Sequence, residues 1–162
     1  MYSILDNINE HLPRVNGVTF SKFYIEDAFA IEGGEFSGLS TQKMVGVRKM
    51  LDNQSTHGFA VTCLLHGEPV AVFGCCKLWD GVGEMWSVIG DTARRRPIAT
   101  TKVGIAFTDI CKLSMDLHRL QITVKTTDLR AIRWARAIGF ISECTMKQYS
   151  MDKYDYDLMV RR

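Results

Sequence analysis

The feature that most constrains the fold is a long amphipathic helix between two segments with strand character. After Pro97, apolar residues recur at the i, i+3, i+4 and i+7 spacing of one buried helical stripe. The segment before the helix, EMWSVIGD, and the segment after it, HRLQITVKT, are predicted to be strands. A strand, a helix of this length and a second strand form a βαβ unit, so we expect the two strands to lie side by side and parallel. The predicted stripe contains Val103, Ala106, Phe107, Ile110, Leu113, Ser114 and Leu117.

Residues 58–91 are predicted to form an antiparallel meander of three strands. GFAVTCLL and VAVFGCCKLW are separated by His66-Gly67-Glu68-Pro69, and a second glycine-containing turn leads into EMWSVIGD. Since side chains alternate along a strand, Glu84, Trp86 and Val88 should share one face of the third strand. Met85, Ser87 and Ile89 should share the other.

A second helix is predicted after the βαβ unit. Thr127 or Asp128 can cap its start, Ile132 and Ala135 lie on one face, and Gly139 suits its end. The remaining segments, FISECTMKQY and DYDLMV, alternate loosely and predict a closing hairpin.

The first 57 residues have weaker patterns. An amphipathic start stops at Pro13, a strand is predicted over residues 18–25, and three glycines in residues 32–38 predict a loop without regular structure. A helix is predicted over residues 39–51. The amphipathic start rests on Ile4, Ile8 and Leu12. The helix over residues 39–51 rests on Ser40 or Thr41 as its N-cap and on the helical spacing of Met44, Val47, Met50 and Leu51.

Length and composition indicate one ordinary globular domain. The chain has 162 residues, 46% of them apolar, and a formal net charge of +2, which is too small to indicate nucleic-acid or membrane binding. Five cysteines lie mostly in apolar runs, which favours a reduced, cytoplasmic setting. The four histidines have no metal-ligand spacing, so no metal site is predicted. No run of residues is apolar enough for a membrane span.

Two local sequences carry a family resemblance. Residues 94–99, RRRPIA, stand where the GNAT N-acetyltransferase superfamily has its pyrophosphate loop, Q/R-x-x-G-x-G/A, and residues 128–140 follow that superfamily's N-x-x-A-x-x-x-Y-x-x-x-G-F pattern in spacing. The chain therefore resembles GNAT proteins over about residues 58–150. The resemblance implies an α/β (α+β) fold with a mixed, mostly antiparallel sheet, a parallel splay and flanking helices. It divides the single domain into an acceptor-side region, 1–57, and a cofactor-binding core, 58–162.

The resemblance also implies that the chain binds acetyl-CoA. The start of the long helix offers unpaired N–H groups and a partial positive charge, which suit a pyrophosphate. In the family, backbone groups of the splayed strands hold the pantetheine arm and polarise the thioester, roles that fall here to Val88 and Ile89. The implied cofactor-binding residues are Val88, Ile89, Arg94, Arg95, Arg96, Ile98, Ala99, Thr100, Asp128 and Ala131.

For acetyl transfer to an amine, Glu84 or Asp91 are the candidates for removing the amine proton, directly or through water. Two residues depart from the family pattern. Pro97 replaces a loop glycine and removes an N–H donor, and Ala135 replaces the tyrosine that protonates the leaving thiolate. A water or another tyrosine, Tyr149 or Tyr154, would then supply that proton.

Three functions follow as hypotheses. The first is acetyl transfer from acetyl-CoA to a small-molecule or protein amine. The second is a non-catalytic structural, virion or host-interaction module, because GEMWSVIG and the late GF-x-x-E-C-x-x-x-x-Y are similar to small phage-encoded GNAT-like proteins; such a protein would reside in the virion or host cytoplasm. The third is nucleobase modification, which the arginines suggest; they could form a basic surface for a nucleic acid, although three aspartates offset that charge. The possibility of a homo-oligomer is left open. The charged residues concerned are Arg119, Arg130, Arg133, Arg136, Asp152, Asp155 and Asp157.

Overall fold

The computed structural model describes residues 7–42 and 46–162. The strands in these residues are β1 (Val18–Lys22), β2 (Glu35–Phe36), β3 (Leu39–Ser40), β4 (Gly58–Leu65), β5 (Glu68–Trp79), β6 (Val82–Ile89), β7 (Arg119–Lys125), β8 (Ile141–Met146) and β9 (Tyr156–Arg161). All of them join one sheet in the order β1-β4-β5-β6-β7-β9-β8, and β2 pairs with both β6 and β3 beside this path. The predicted mixed, mostly antiparallel α/β architecture is confirmed.

Helices flank both faces of the sheet. They are α1 (Ile8–His11), α2 (Ile25–Ala30), α3 (Val47–Thr56), α4 (Asp91–Arg94), α5 (Pro97–Ser114) and α6 (Leu129–Ala137). Pro97 opens α5 at its first turn, where no N–H is needed. The Asp128 side chain caps α6, and Gly139 follows that helix with a positive φ of 102°. None of the described helices is long and apolar enough to cross a membrane.

The predicted meander and βαβ unit are both present. Strands β4, β5 and β6 pair in antiparallel order, and β6 pairs with β7 in parallel through Val82–Arg119, Gly83–Leu120 and Glu84–Gln121. The parallel pairing stops there, so the two strands separate beyond Glu84. On the far side of β7, β9 lies between β7 and β8. The closing hairpin therefore folds back so that its second strand continues the sheet.

Two apolar clusters pack against the two faces of the sheet. One includes Phe73, Met85 and Phe107 beneath α5 and α6, and the other includes Trp86 and Val88 beneath α2 and α3. The predicted alternation along β6 is therefore correct.

The predicted apolar stripe on α5 is partly wrong. Its buried residues are Val103, Gly104, Phe107, Thr108 and Cys111, whereas Leu113 is 84% exposed. The buried face of the helix includes small residues, and one of them, Gly104, lies close to the Trp134 ring of α6. Apolar periodicity alone could not identify that face.

The N-terminal predictions are corrected in three places. The first strand ends at Lys22, and α2 begins three residues later because the Asp27 carboxylate accepts hydrogen bonds from the Tyr24 N–H and the Thr62 hydroxyl. The helix predicted from residue 39 begins instead at Val47, since residues 39–40 pair as a strand. Residues 35–36, expected in an irregular loop, also form a strand. Ile4 and Met44 lie outside the described residues.

Candidate active site

The central feature of the molecule is a cleft between β6 and β7. It begins where their parallel pairing stops, after Glu84 and Gln121, and it encloses a cavity of about 420 Å³. The start of α5 and the inner face of α6 form the other walls. From the two strands, the lining residues are Met85, Trp86, Ser87, Ile89, Ile122, Thr123, Val124 and Lys125.

Small side chains on α6 keep the cleft open. Ala131 and Ala135 line it beside Trp134 and Ile138. Among the described residues, the Trp134 Nε1 donor is buried and has no hydrogen-bond partner. A buried donor without a partner is costly to the folded state. The walls of the cleft are mainly apolar and therefore suit a mainly apolar ligand.

The backbone of β6 is less accessible than the sequence suggested. Strand β2 pairs with Val88 and Ile89 on the edge of β6 that faces the cleft, because β5 occupies the other edge. The Ile89 carbonyl also accepts a hydrogen bond of 2.7 Å from Arg94. The expectation that Val88 and Ile89 present free backbone groups is therefore corrected: within residues 7–42 and 46–162, the unpaired edge of β6 is limited to residues 85–87.

Of the arginine triplet, only Arg94 lines the cleft. Its guanidinium donates to the carbonyls of Gly33 and Ile89 and to the Asp91 carboxylate, at 2.7–2.9 Å. Gly33 has a positive φ of 65°, and a Cβ there would lie 2.4 Å from the Asp91 carboxyl group. The arginine thus ties three backbone segments together at the end of β6, and it is not a free phosphate ligand.

The other residues predicted for the pyrophosphate loop lie at different sites on the molecule. Arg95 does not line the cleft, and the Ile98 side chain is 74% exposed on the surface. Arg96 and Ala99 line a separate apolar hollow of about 40 Å³. Thr100 does line the cleft, but its hydroxyl bonds the carbonyls of Ala93 and Arg96. A short helix, α4, turns the chain before Pro97, so the consecutive arginines point in different directions.

At the start of α6, both predicted residues line the cleft. Asp128 Oδ1 accepts a hydrogen bond of 3.0 Å from the Ala131 N–H, which is the usual N-cap interaction. Arg130 also lines the cleft and contacts the carboxylates of Glu35 and, at 4.0 Å, Asp128.

Glu84 lies on the opposite face of the sheet from α5 and α6. Its carboxylate accepts a hydrogen bond from Gln121 Nε2 at 3.1 Å and one from Gln54 Nε2 at 3.5 Å. The Tyr149 side chain is close enough to Glu84 to be affected by its negative charge. Burial, and after it the charge of Glu84, raises the pKa of Tyr149, whereas a hydrogen bond with Thr123 lowers it. Two of the three predicted catalytic side chains therefore lie near each other.

Asp91, the third candidate, is elsewhere. It stands at the far end of β6, in the first turn of α4, with its carboxylate bound to Arg94 at 2.8 Å. That placement removes Asp91 from the Glu84 and Tyr149 pair and gives it a contact that holds the chain turn.

Three residues of this site were missed by the sequence patterns. Gln121 sits on an alternating strand, but nothing in the sequence indicated its partner. Gln54 was outside the predicted helix. Glu35 was inside the predicted loop, and its approach to Arg94 and Arg130 depends on the unexpected β2 pairing.

Solved structures share this arrangement of strands and helices over nearly the whole chain. Ard1 from Thermoplasma volcanium superposes with a TM-score of 0.71 at 17% identity, covering 90% of this chain and 97% of that one. The chain has the fold of the GNAT acetyltransferases. The ribosomal-protein-S5-alanine acetyltransferase from Vibrio fischeri gives a TM-score of 0.68 at 11% identity, covering 91% and 94% of the two chains.

A third GNAT structure contains a ligand. The GNAT family acetyltransferase from Elizabethkingia anophelis, solved with acetyl-CoA bound, matches with a TM-score of 0.67 at 9% identity and covers 91% of this chain and 99% of that chain. The sequence itself matches no protein-family model and no curated protein at a significant level. The likeness is therefore one of fold.

Proposed function

We propose that this protein is an N-acyltransferase that transfers an acetyl group from acetyl-CoA to an amine. The observation that carries the proposal is the cleft between β6 and β7, which opens directly beside Glu84 and where no described strand pairs with residues 85–87 on the cleft side of β6. The apolar walls fit a pantetheine arm. The solved GNAT structure with acetyl-CoA bound supports the donor.

Residues of the cleft, and Glu84 and Tyr149 outside its lining, have distinct roles in this proposal. Backbone N–H groups of residues 85–87 stabilise the negative charge that develops on the thioester oxygen. Glu84, held by Gln54 and Gln121, takes the proton of the attacking amine, directly or through water. When bound, acetyl-CoA supplies an activated acyl carbon. Tyr149 would donate a proton to the leaving thiolate, because its phenol, like that of an ordinary tyrosine, is protonated at neutral pH.

The acceptor is proposed to approach from the face that carries Glu84. The S5-alanine acetyltransferase is named for a protein acceptor, so protein and small-molecule amines are both candidates here. A panel of primary amines and of peptides with free N-termini, assayed for thiol release from acetyl-CoA, would separate them. We also propose that the protein acts in the cytoplasm.

Binding and turnover test the proposal separately. Calorimetry should detect acetyl-CoA binding to the wild-type protein, and Ala131→Trp should abolish it by filling the cleft. Leu129→Trp, on the same helix but at a side chain that is 62% exposed, is the matched control and should bind normally. Glu84→Gln should retain binding and lower turnover by about 100-fold or more. Wild-type protein that fails to bind acetyl-CoA would overturn the proposal.

A second candidate is a non-catalytic module that keeps the fold, as in the phage-encoded proteins that the sequence resembles. Two observations favour it. Strand β2 occupies the Val88–Ile89 edge, and Ala135 stands where the resembled family has a tyrosine. Turnover of acetyl-CoA with any amine, lost in Glu84→Gln, would exclude this candidate.

A further inference from the structure

The observation behind this inference is a row of exposed side chains along the outer face of α5. Ile98 is 74% exposed, Ile105 38% and Leu113 84%, and the exposed Lys102 and Asp109 lie between them. At about 100° per residue, these five positions fall within about 80° of one another, and we call them the outward row. The buried residues of α5 lie on the opposite side of the helix. A surface helix ordinarily turns polar residues outward, so three large apolar side chains in one exposed row indicate a contact surface.

The outward row is symmetric about the middle of the helix. The midpoint of α5 lies just after Ile105. Ile98 and Leu113 are equally far from that midpoint on its two sides, and so are Lys102 and Asp109. A second copy of α5, laid antiparallel across the first at the midpoint, therefore sets Ile98 opposite Leu113 and Lys102 opposite Asp109. Each apolar side chain meets an apolar one, and each cation meets an anion.

The acidic member of the row is held in place within its own chain. Asp109 Oδ1 accepts a hydrogen bond of 2.7 Å from Arg161 Nη2, and its Oδ2 has no hydrogen-bond partner within residues 7–42 and 46–162. The carboxylate is about half exposed, at 52%, so a lysine of another copy can reach it. A parallel arrangement of two α5 helices sets Lys102 against Lys102 and Asp109 against Asp109. Because like charges repel, the charges favour the antiparallel arrangement.

We propose that the outward row is the contact between two copies of this chain, packed antiparallel about a two-fold axis close to Ile105. Such an interface is isologous, because each contact occurs twice. The helix has 18 residues and is about 27 Å long, so we expect the pair to bury less than the ~800 Å² per partner of a standard interface. The dimer should accordingly be weak, with a dissociation constant of about 10–100 µM. Its formation needs no acetyl-CoA, so the inference goes beyond the proposed function.

The first test measures the molecular mass of the full chain by sedimentation equilibrium, from low micromolar to near millimolar concentration. The wild-type protein should shift from monomer to dimer. Leu113→Ser removes two apolar contacts from the interface and should weaken dimerisation about tenfold. Since the Leu113 side chain is 84% exposed, the folded monomer loses little packing. Ile141→Ser, at a side chain that is 61% exposed on the edge strand β8, is the matched control and should dimerise normally.

The charged pairs are tested in the same way. Lys102→Glu sets two carboxylates opposite each other twice in the dimer, so it should weaken dimerisation at least as much as Leu113→Ser. Lys49→Glu makes the same change of charge at an exposed position of α3, which packs on the other face of the sheet, and should leave dimerisation unchanged.

The second test uses disulfide cross-linking to determine the orientation of the two helices. Cys144→Ser provides the background, because Cys144 is exposed and the other four cysteines are buried. Ile105→Cys sets two thiols beside the two-fold axis, and oxidation with copper phenanthroline should join the two chains. The two copies of Leu113→Cys lie about 22 Å apart along the antiparallel helices, so this more exposed thiol should not cross-link.

Several outcomes would overturn the inference. They are a wild-type protein that stays monomeric near millimolar concentration, a dimer that Leu113→Ser leaves unchanged, and cross-linking of Leu113→Cys in preference to Ile105→Cys. Binding of monomeric protein to phosphatidylglycerol vesicles, lost in Leu113→Ser, would assign the outward row to a membrane surface instead. Because none of these measurements contains acetyl-CoA, failure of the dimer leaves the acyltransferase proposal intact, and failure to bind acetyl-CoA leaves the dimer intact.

Discussion

Gln121 donates a hydrogen bond of 3.1 Å to Glu84 across the last residue pair that joins β6 to β7. The carboxylate is therefore fixed at the point where the cleft opens. Its second oxygen faces Gln54 from α3, at 3.5 Å. Gln121 from β7 and Gln54 from α3 thus orient Glu84, the candidate base, on one face of the sheet.

Replacing Gln121 with glutamate tests that orientation. The Gln121→Glu variant places a like charge beside Glu84, while Arg119, which now donates to Gln121 at 3.2 Å, can pair with the new carboxylate and preserve the fold. We expect the acidic limb of the rate profile to move to higher pH, because a neighbouring like charge disfavours an ionised carboxylate. Asn53→Asp adds the same charge on the exposed side of α3 and should leave the profile in place. An unshifted limb in Gln121→Glu would contradict this role for Gln121.

Deprotonation of Tyr156 should lower the stability of the folded protein at alkaline pH. Burial, together with the Asp152 charge, raises the pKa of Tyr156 to about 12, and its hydroxyl donates to the Ser37 carbonyl. Because the folded state favours the protonated phenol, the contribution is complete below the ordinary tyrosine pKa of about 10 and is lost as the pH rises toward 12. Tyr156→Phe should cost about 1 kcal/mol at pH 7 and should flatten the fall in unfolding free energy over that range.

Denaturant titrations between pH 8 and 12 measure both effects. Tyr24→Phe, at a side chain that is 61% exposed, is the control and should follow the wild-type curve. Equal slopes for wild-type protein and Tyr156→Phe above pH 10 would show that the phenol titrates alike in both states.

Two substitutions of Asp128 should differ in their effect on the stability of the protein. Its carboxylate caps α6 through the Ala131 N–H. Asp128→Ala should therefore destabilise the protein by about 1 kcal/mol, whereas asparagine, an equally good cap, should cost much less. If the cap is what positions Ala131 in the cleft, acetyl-CoA affinity should fall in Asp128→Ala and persist in Asp128→Asn. A comparable loss in both variants would indicate a direct contact between the carboxylate and the ligand.

The parts of the fold that were predictable have local signals. The meander has glycine turns between alternating strands, and α6 has an aspartate cap and a terminal glycine. The hairpin 35–40 has no such signal. Its two-residue strands exist because β6 offers an unpaired edge beyond its parallel pairing with β7, and that edge is created by the tertiary structure.

The same distinction holds for the candidate site. Its acidic and aromatic candidates, Glu84 and Tyr149, could be proposed from residue type and element order. Their nearness could not, because it depends on how the β8–β9 segment folds back over β7. The direction of each arginine was equally hidden: three consecutive arginines read as one positive patch, yet a single turn of α4 sends Arg94 inward and leaves Arg95 and Arg96 outside the cleft.

The sequence by itself determined the strands, the long helix and their parallel βαβ arrangement, because periodicity, caps and turn residues act over a few neighbouring positions. Only the tertiary structure decided which backbone edge stays open, which arginine faces the cleft and which carboxylate it meets. Those features depend on contacts between residues far apart in the chain, such as Glu35 with Arg130 and Glu84 with Gln121. Local patterns carry no record of such pairs, since each side chain has the same local preferences whichever partner it meets.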